Sequence, residues 1–496
     1  MRRLTIERSM SIILFMLIFA LAVRIPVDTD TWWHLRSGEY ILQNGFIYTD
    51  PFSFSFADQP WIDHSWGAQV LLSVIWRVGG MYGLAFFVAG MATLGMIFIY
   101  RMSAGNTYLR AFAIVLGAAT AAVFWSPRPQ MFSFALSALL LLLLHLYKRE
   151  KTDRLWMIPI LMAVWGNIHA GFSIGFIFLG GTIAGEIFNN LFRPTGDHTI
   201  GWRGIRKLIV ITLISLAALV INPYGINMLL VPFQTVGIGA LQNFIQEWNS
   251  PNFHERQTWP FVFLIIAVLG AVGGSKRRLD WTDFMLVSGT MFMGLMAGRN
   301  IAVFAVVATP VLTYHLASIM AERGWLQTTI KRATPQMARI NILLLLMIGL
   351  ACFVKVVASM DAEMVDTVMA DTLPVGAVDY MQTHDLPPNM FNSYNWGGYL
   401  IHALPDFPVF VDGRTDLYGD SFLTNDYLST ALGNDGWRET LTQYGINTVV
   451  VETPSGLALR LRDEAGWTVL YEDPKAIVIV RDVPIEPIVN REIDHD

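Results

Sequence analysis

The sequence predicts a polytopic α-helical membrane protein that carries a small soluble α/β domain after its last membrane helix. Hydrophobic residues make up 54% of the 496 positions and charged residues only 15%, a balance too apolar for an ordinary soluble protein. Long apolar segments recur up to about residue 359, and beyond it short strand-like runs alternate with helical stretches. We therefore expect a transmembrane domain over residues 1–359 and an extracytoplasmic α/β domain over residues 360–496.

The net charge and the cysteine content argue against several classes of protein. The formal net charge of −5 is small for this length and gives no indication of nucleic-acid binding. Cys352 is the only cysteine and lies in an apolar run. The chain therefore holds neither a disulfide framework of its own nor a cysteine metal site.

Eleven apolar segments are candidates to span a bilayer, which takes roughly 17–25 residues of helix. The first is long enough if Arg24 extends to the interface, and we interpret it as a retained helix rather than a cleaved signal peptide. The segments lie at about residues 9–27, 81–100, 110–125, 130–147, 155–169, 171–190, 208–222, 259–274, 281–298, 300–320 and 340–358.

Basic residues predict the orientation of these segments, because Lys and Arg collect on the cytoplasmic side. With the N-terminus inside, 20 of them fall on inner loops, among them Arg193, Lys331 and Arg332, and seven fall outside or at outer ends before residue 360. We therefore expect a multi-pass protein of the plasma membrane with a cytoplasmic N-terminus and its C-terminal domain outside.

This orientation places the polar motifs of the membrane domain on the outer face. A carrier is expected to show polar groups near mid-membrane and broken helices in matching halves, and the sequence has no such internal repeat. The layout predicts a one-sided site that opens outward. The motifs are residues 28–66, 127–130, 167–171, 222–225, 247–248 and 298–300.

The first outer loop, residues 28–80, carries the densest set of polar and charged side chains. Charge beside a membrane helix is costly and usually has a use. A helix over residues 32–43 would put Arg36 and Glu39 on one face, and residues 64–78 have the spacing of a second interfacial helix. For the tryptophans of this loop, an interfacial aromatic belt is the alternative explanation.

The C-terminal domain is predicted to alternate strands and helices. Its most distinctive stretch, residues 392–399, is followed by Asp412, Gly413 and Arg414 on one loop. These charges indicate a binding site, and a turn closed by internal salt bridges is an equally good alternative. The predicted strands lie at residues 409–411, 448–451, 467–471 and 476–480, and the predicted helices near residues 375–383, 437–444 and 457–464.

Two stretches resemble oligosaccharyltransferase catalytic subunits. In the first outer loop the resemblance rests on Asp30, the aromatic pair that follows it, His34, Arg36 and Gly45. In the C-terminal domain, residues 394–401 together with the following Val-Asp pair are similar to the acceptor-site signature of the same enzymes.

The whole layout is similar to the wider GT-C class of membrane glycosyltransferases, which have an acidic first outer loop, two interfacial helices and often an outer C-terminal domain. Residues 165–171 and 222–225 also resemble uncharacterised bacterial members of that class. The resemblance implies an inverting glycosyltransferase of cell-envelope glycan biosynthesis that takes its sugar from a polyprenyl-phosphate donor.

Two departures limit what the resemblance implies. The first tryptophan and the aspartate of the acceptor signature are missing, because Tyr394, Asn395 and Trp396 stand there, and peptide-sequon binding is not implied. The second outer loop, residues 126–130, lacks the acidic pair that completes the metal site of those enzymes. A divalent cation, Mg²⁺ or Mn²⁺, held by Asp30 is compatible with the sequence but not required by it.

The chemistry can also be argued from the residues. Outside the cytoplasm there is little nucleotide sugar, so an outward-facing enzyme would draw on a polyprenyl-linked sugar whose lipid stays in the bilayer, and would pass it to a glycan, lipid or protein acceptor. A hydroxyl is a poor nucleophile, and a carboxylate against it acts as general base. Asp30 and Asp28 are the candidates, and Asp30 is preferred on its match. On an extended segment both would face the same way, while Asp28 could instead orient Asp30 or cap the next helix.

The departing phosphate needs positive charge or hydrogen-bond donors. Arg36, Arg128, His169 and Arg299 are the candidates, and each alone could equally be an interfacial anchor or a contact between helices. Candidate acceptor or loop-site residues are His34, Asp63, His64, Glu247, Trp396, Asp412 and Arg414.

The competing class is a non-catalytic membrane protein, either a transporter or a scaffold for lipid-linked glycans. A transporter should bind its substrate from both sides, whereas the polar groups concentrate on one. A scaffold would need no carboxylate pair at the end of the first helix.

Overall fold

The computed structural model describes residues 4–192, 198–239, 245–325 and 334–487. The chain is mostly helical and carries a small mixed sheet in its C-terminal part. It divides into two compact units: a helical unit of Met1–Pro26, Gly79–Pro232 and Ile245–Asp361, and a sheet unit of Val27–Val78, Phe233–Phe244 and Ala362–Asp496. Of the basic residues that predict the orientation, Arg193, Lys331 and Arg332 lie outside the described residues.

The helices follow one another along the chain, and the strands appear only near its end. The helices are α1 (Ile6–Ala22), α2 (Thr31–Asn44), α3 (Trp66–Met102), α4 (Thr107–Ala121), α5 (Gln130–Arg149), α6 (Met157–Ile168), α7 (Phe172–Phe192), α8 (Gly201–Ala218), α9 (Val231–Val236), α10 (Trp259–Gly274), α11 (Trp281–Met296), α12 (Ile301–Glu322), α13 (Pro335–Ala358), α14 (Ala362–Thr372), α15 (Val375–Thr383), α16 (Tyr394–Ala403), α17 (Thr415–Ser421), α18 (Ser429–Ala431), α19 (Trp437–Gln443) and α20 (Gly456–Arg462). The strands are β1 (Met390–Asn392), β2 (Thr448–Glu452), β3 (Trp467–Glu472) and β4 (Ala476–Arg481).

Each of the eleven apolar segments predicted from the sequence coincides with a helix, namely α1, α3 to α8 and α10 to α13. The chain is a multi-pass α-helical membrane protein. Within the described residues, seven stretches are both long and apolar enough to cross a membrane, and Met157–Ile168 is apolar but shorter. The seven are Trp66–Met102, Thr107–Phe124, Gln130–Arg149, Phe172–Phe192, Arg256–Gly274, Gly298–Glu322 and Pro335–Ala358.

Gly80 divides the 37-residue helix α3 into two parts. Its backbone has φ 50° and ψ −136°, and a positive φ of this kind favours glycine because glycine has no Cβ. The helix residues up to Val78 belong to the sheet unit, and those from Gly79 onward belong to the helical unit. The helix predicted over residues 64–78 is confirmed, and it meets the predicted span over residues 81–100 at this glycine.

Burial differs sharply between the last two helices of the helical unit. In the membrane window of α12, 72% of the residues are buried, against 6% for α13. Thr309 of α12 lies directly against Gly117 of α4, where a Cβ would displace it, so small residues allow the close approach of these two helices. The long apolar side chains of α13 are mostly exposed within its unit, which is the character of a lipid-facing helix.

A buried ionic cluster joins α5, α7 and α11. Lys148 forms an ion pair with Glu186 and lies 3.2 Å from Asp280, while Arg149 pairs with Asp283. Because an unpaired charge at this depth is expensive, the pairing holds the three helix ends together. These two basic residues of a predicted inner loop are therefore helix-to-helix contacts.

The sheet has four strands in the order β1-β2-β4-β3, with β1 parallel to β2 and the other neighbours antiparallel. The strands predicted near residues 448, 467 and 476 are confirmed. The strand predicted at residues 409–411 is wrong: in the described chain Val409 forms only isolated bridges. The side chain of Asn392 accepts from the Phe410 N–H (2.8 Å) and donates to the Val411 carbonyl (2.7 Å), and so takes up the backbone groups that a ladder would use.

The first outer loop folds with the sheet. The backbone N–H of Phe54 donates to the Val409 carbonyl (3.1 Å), and Val409 N–H donates to the Phe52 carbonyl (3.2 Å). Phe56 is buried in the same hydrophobic core as Tyr418 and Phe422. The sequence assigned residues 28–80 to the membrane domain, whereas these contacts make Val27–Val78 part of the sheet unit.

Candidate active site

The predicted site residues fall in both compact units. The helical unit holds Arg128, His169, Glu247 and Arg299. The sheet unit holds Asp28, Asp30, His34, Arg36, Asp63, His64, Trp396, Asp412 and Arg414. Each group is described within its own unit.

Asp30 lies immediately before α2 and is half-buried. The Asp28 carboxylate accepts a hydrogen bond from the backbone N–H of Asp30 (3.0 Å), and the Asp28 carbonyl accepts one from Thr31 N–H (3.3 Å). The chain makes a turn here and is not extended, so the two carboxylates do not act as an equivalent pair. Asp28 fixes the backbone that carries Asp30.

Gly413 packs directly on the Asp30 carboxylate. A Cβ at this glycine would lie well under 3.0 Å from Asp30 Oδ1 and 3.2 Å from Trp33 Nε1. The indole N–H of Trp33 is buried without a hydrogen-bond partner among the described residues. The absence of a side chain at position 413 therefore leaves room for the Asp30 carboxylate where it lies.

Asp412 and Arg414, on either side of this glycine, are fully buried and paired. The Arg414 guanidinium donates to Asp412 (2.6 Å) and to Asp50, and Tyr418 donates to Asp412 (2.7 Å). Burial opposes the charge of Arg414, but Asp412 and Asp50 outweigh it and hold the pKa of Arg414 well above its usual value. The internal salt bridge considered from the sequence is present, and these side chains fix the loop that holds Gly413 against Asp30.

Tyr394 is a further residue near Asp30 that the sequence argument used only as part of a motif. Its hydroxyl lies 2.7 Å from Thr415 Oγ1. Burial, and then the charge of Asp30, raise the pKa of Tyr394 well above its usual value. Trp396, two residues on, is 2% exposed and contributes to packing.

Asp63 and His34 are linked through Gln69. Gln69 Nε2 donates to Asp63 Oδ1 (2.7 Å) and lies 3.4 Å from His34 Nδ1. Burial raises the pKa of Asp63 to about 7, with the negative charge of Asp416 adding to the effect. This carboxyl therefore keeps its proton to a higher pH than an ordinary aspartate does.

Arg36 and His64 have local partners. Arg36 donates to Glu39 (3.0 Å), so these two side chains share one face of α2 as predicted, and Glu39 also accepts from Gln43 (3.4 Å). His64 Nδ1 lies 2.9 Å from Ser65 Oγ. A role for Arg36 in donor binding stays a prediction.

Two arginines and a glutamate meet in the helical unit. Arg128 donates to Glu247 Oε2 (2.8 Å), and Arg299 Nη1 lies 3.8 Å from Glu247 Oε1. Burial opposes ionisation of Glu247, but Arg128 and Arg299 outweigh it and lower its pKa. Arg299 also stacks over Trp248 at 4.2 Å. Three sequence motifs that are far apart in the chain thus form one cluster with two positive charges and one negative.

This arginine cluster suits an oxyanion. Guanidinium groups bind phosphate through paired, charge-assisted hydrogen bonds. The Arg128 and Arg299 side chains are 18% and 26% exposed, so they are held in place and remain reachable. Within the described residues, no group of three or more His, Cys, Asp or Glu side chains is arranged to hold a metal ion.

The fold is similar to that of solved structures of an oligosaccharyltransferase, of ArnT and of an arabinofuranosyltransferase, as the resemblance to the GT-C class predicts. The archaeal oligosaccharyltransferase AglB from Archaeoglobus fulgidus, solved with an inhibitory peptide and a dolichol-phosphate, is similar with a TM-score of 0.54 and 12% identity, over 90% of this chain and 69% of that one. ArnT from Cupriavidus metallidurans in the apo state gives a TM-score of 0.53 at 12% identity, over 93% and 95% of the two chains. The arabinofuranosyltransferase AftD from Mycobacteria gives 0.51 at 13% identity, over 97% of this chain and 42% of that one.

At sequence identities of 12–13%, these similarities show a shared fold and nothing about activity. No protein-family model matches the sequence, and no curated protein matches it either.

Proposed function

We propose that this protein is an integral membrane glycosyltransferase that moves a sugar from a polyprenyl-phosphate donor to an acceptor on the extracytoplasmic face. The observation that carries the proposal is the convergence of Arg128 and Arg299 on Glu247 in a chain with the GT-C fold. AglB, which has the same fold, was solved with a dolichol-phosphate, and this supports a lipid phosphate as the ligand.

The reaction is a single displacement at the anomeric carbon of the donor sugar. The acceptor hydroxyl gives its proton to a carboxylate base as its oxygen bonds to that carbon. The sequence offers Asp30 as that base. The bond between the carbon and the phosphate oxygen breaks, and the electron pair leaves with the lipid phosphate. Arg128 and Arg299 stabilise the negative charge that develops on this phosphate. Because one displacement occurs, the configuration of the anomeric carbon is inverted.

Glu247 keeps the two guanidiniums in place when no donor is bound. Its carboxylate neutralises part of their charge, so they do not repel each other strongly in the empty site. The oxygens of an entering phosphate are anionic hydrogen-bond acceptors, like those of the carboxylate. Both arginines can therefore donate to the phosphate and to Glu247 at the same time. Arg128 and Arg299 are thereby preorganised for an anion.

The proposal is tested by donor turnover. Purified protein in lipid is incubated with radiolabelled polyprenyl-phosphate sugars, and release of the lipid phosphate is measured. Release that depends on Asp30 supports a transferase. Tight binding of the lipid without any release would instead favour the transporter or scaffold.

The arginines are tested separately by donor binding. Arg128→Gln and Arg299→Gln should each weaken binding of the lipid phosphate by about 10- to 100-fold, since a charge-assisted hydrogen bond contributes about 1.5–3 kcal/mol. Arg256→Gln is the matched control, because Arg256 is exposed in the short 3₁₀ turn before α10 and lies outside the cluster. Unchanged affinity in both cluster variants would leave the arginines as structural anchors.

A further inference from the structure

Two arginines share one glutamate where α2 meets the first part of α3. Arg36 Nη1 donates to Glu39 Oε2 (3.0 Å), and Arg77 Nη2 donates to Glu39 Oε1 (3.4 Å). An arginine has five N–H donors. Among the contacts of the described residues, each of these guanidiniums uses one nitrogen, so most of its donors remain for another acceptor. We call these three charged side chains the Glu39 cluster.

The Glu39 cluster differs in charge from other arginine–glutamate contacts of the sheet unit. Arg438 pairs with Glu464 through two nitrogens (2.8 and 2.6 Å), and Arg462 pairs with Glu472 in the same way (2.8 and 2.7 Å). Each of those pairs is neutral. The Glu39 cluster keeps one net positive charge, and its two arginine side chains are 23% and 48% exposed. An anion can therefore reach both guanidiniums.

The helices that carry the two arginines are packed closely together. Gly38 of α2 lies directly on the backbone carbonyl of Gln69 in α3, with no room for a Cβ. Trp32 of α2 packs edge-on against Trp76 of α3, with ring centroids 5.7 Å apart. The backbone positions of both arginines are therefore fixed before a ligand binds, which lowers the cost of binding.

An apolar stripe borders the Glu39 cluster on α3. Its residues Leu71, Val74 and Val78 are 45%, 44% and 86% exposed, and their spacing of three and four residues puts them on one face of the helix. Arg77 lies beside this face, about 60° around the helix from Val74 and about 100° from Val78. An apolar face flanked by basic side chains is typical of a helix that lies in a membrane interface.

The place of the stripe in the chain indicates the same partner. Val78 is followed by Gly79 and by the kink at Gly80, and the residues after the kink form the apolar span of α3. The bilayer surface is therefore close to Val78. A glycine kink also lets the preceding turns leave the direction of the span, so that these turns can lie along the surface.

We propose that Arg36 and Arg77 bind the phosphate of an anionic phospholipid while the stripe on α3 lies among the acyl chains. The net positive charge of the Glu39 cluster complements an anionic headgroup, whereas a zwitterionic headgroup brings a cation of its own. Guanidiniums bind phosphate oxygens through charge-assisted hydrogen bonds. This lipid site goes beyond the proposed sugar transfer and does not depend on it.

The first test compares two lipids on the purified protein in detergent. Native mass spectrometry should give tighter binding of phosphatidylglycerol than of phosphatidylcholine. Arg36→Gln and Arg77→Gln should each weaken the binding of phosphatidylglycerol about fivefold, the usual effect of one arginine at an anionic lipid surface. Arg438→Gln, which removes an arginine of a neutral pair in the same unit, is the matched control and should change nothing. Equal affinity for both lipids, or unchanged binding in both cluster variants, would overturn the inference.

The donor's lipid phosphate is the alternative ligand of Arg36, and the same variants distinguish it. Farnesyl phosphate serves as a short analogue of that lipid. We expect Arg36→Gln and Arg77→Gln to lose less affinity for farnesyl phosphate than for phosphatidylglycerol, because the proposed donor site has Arg128 and Arg299. An equal or greater loss for farnesyl phosphate would overturn the inference and leave the proposed function standing.

The second test locates the stripe with a nitroxide spin label at Leu71→Cys, in a Cys352→Ala background that removes the one native cysteine. Leu71 lies seven residues, about 10 Å of helix, before Val78, so the nearby span alone does not put it in lipid. In bilayers with phosphatidylglycerol, we expect the label to collide more with oxygen, which dissolves in lipid, than with a water-soluble nickel complex. A label at Arg438→Cys is the control and should show the reverse. Preference for the nickel complex at position 71 would overturn the inference.

Discussion

Replacing Gly413 by alanine tests whether the loop after residue 411 positions Asp30. The added methyl group would lie well under 3.0 Å from Asp30 Oδ1, a separation that real Cβ atoms essentially never show. Carbon and oxygen atoms in ordinary contact are separated by roughly 3.3–3.5 Å, so the carboxylate must move by about 1 Å. The loop cannot move in its place, because Asp412 and Arg414 are fully buried and paired.

The cost of this shift should appear in turnover more than in stability. A displacement of about 1 Å in a reacting group can cost 10²-fold in rate. Overpacking of this kind costs roughly 1–3 kcal/mol in the free energy of unfolding. We therefore expect Gly413→Ala to lower kcat for release of lipid phosphate by about 10²-fold, with a folded protein and an unchanged affinity for farnesyl phosphate.

The control is Gly289→Ala in α11, where a Cβ meets nothing within 4 Å. It should leave turnover unchanged and stabilise the helix slightly, because alanine is the better helix former. A Gly413→Ala protein with full turnover would show that the position of Asp30 does not matter for the reaction.

Two further outcomes can be checked with simple measurements. The raised pKa of Asp63, about 7, means that the folded protein binds more protons than the unfolded chain between about pH 4 and pH 7, so its stability falls as pH rises through that window. The free energy of unfolding of Asp63→Asn should therefore rise by about 2–3 kcal/mol relative to that of the unmutated protein between pH 5 and pH 8. The control is Asp385→Asn, at an exposed position, which should show no such trend. An equal pH dependence in both variants would refute the assignment. For the orientation, a reporter fused after Glu322 should be cytoplasmic and one fused after Asp496, which lies outside the described residues, should be external; both on one side would contradict the eleven-segment topology.

Helices were predictable because their signal is local. A run of apolar residues such as that of α13 indicates a membrane helix wherever it occurs in a chain. The helices over residues 64–78 and 81–100 were predicted separately, and the structure joins them at Gly80. The wrong strand prediction at residues 409–411 has a different origin. The residue pattern there is strand-like, but the Asn392 side chain is hydrogen-bonded to the backbone groups of Phe410 and Val411 that a strand would use. No residue near Val409 in the sequence indicates that a distant asparagine side chain forms these hydrogen bonds.

The contacts of the arginine cluster could not be predicted from the sequence, and its members stay predicted site residues. The motifs at Arg128, Glu247 and Arg299 were identified singly, yet their ion pairs join positions more than fifty residues apart, and no periodicity links them. Gly413 was visible only as a spacer between two charges. Its close approach to Asp30 depends on the fold of the whole sheet unit.

The central claim is that Asp30 is the general base of a sugar transfer, and Asp30→Asn tests it most directly. The substitution keeps the shape of the side chain and removes its charge. With radiolabelled polyprenyl-phosphate sugars and an acceptor, transfer should fall by about 10²-fold or more. Asp28→Asn should have a smaller effect, because Asp28 holds the backbone of Asp30 and is not the proposed base. Restoring Mg²⁺ or Mn²⁺ after chelation tells a base from a metal ligand, since only a metal site would regain activity in the unmutated protein. Full transferase activity in Asp30→Asn would contradict the account.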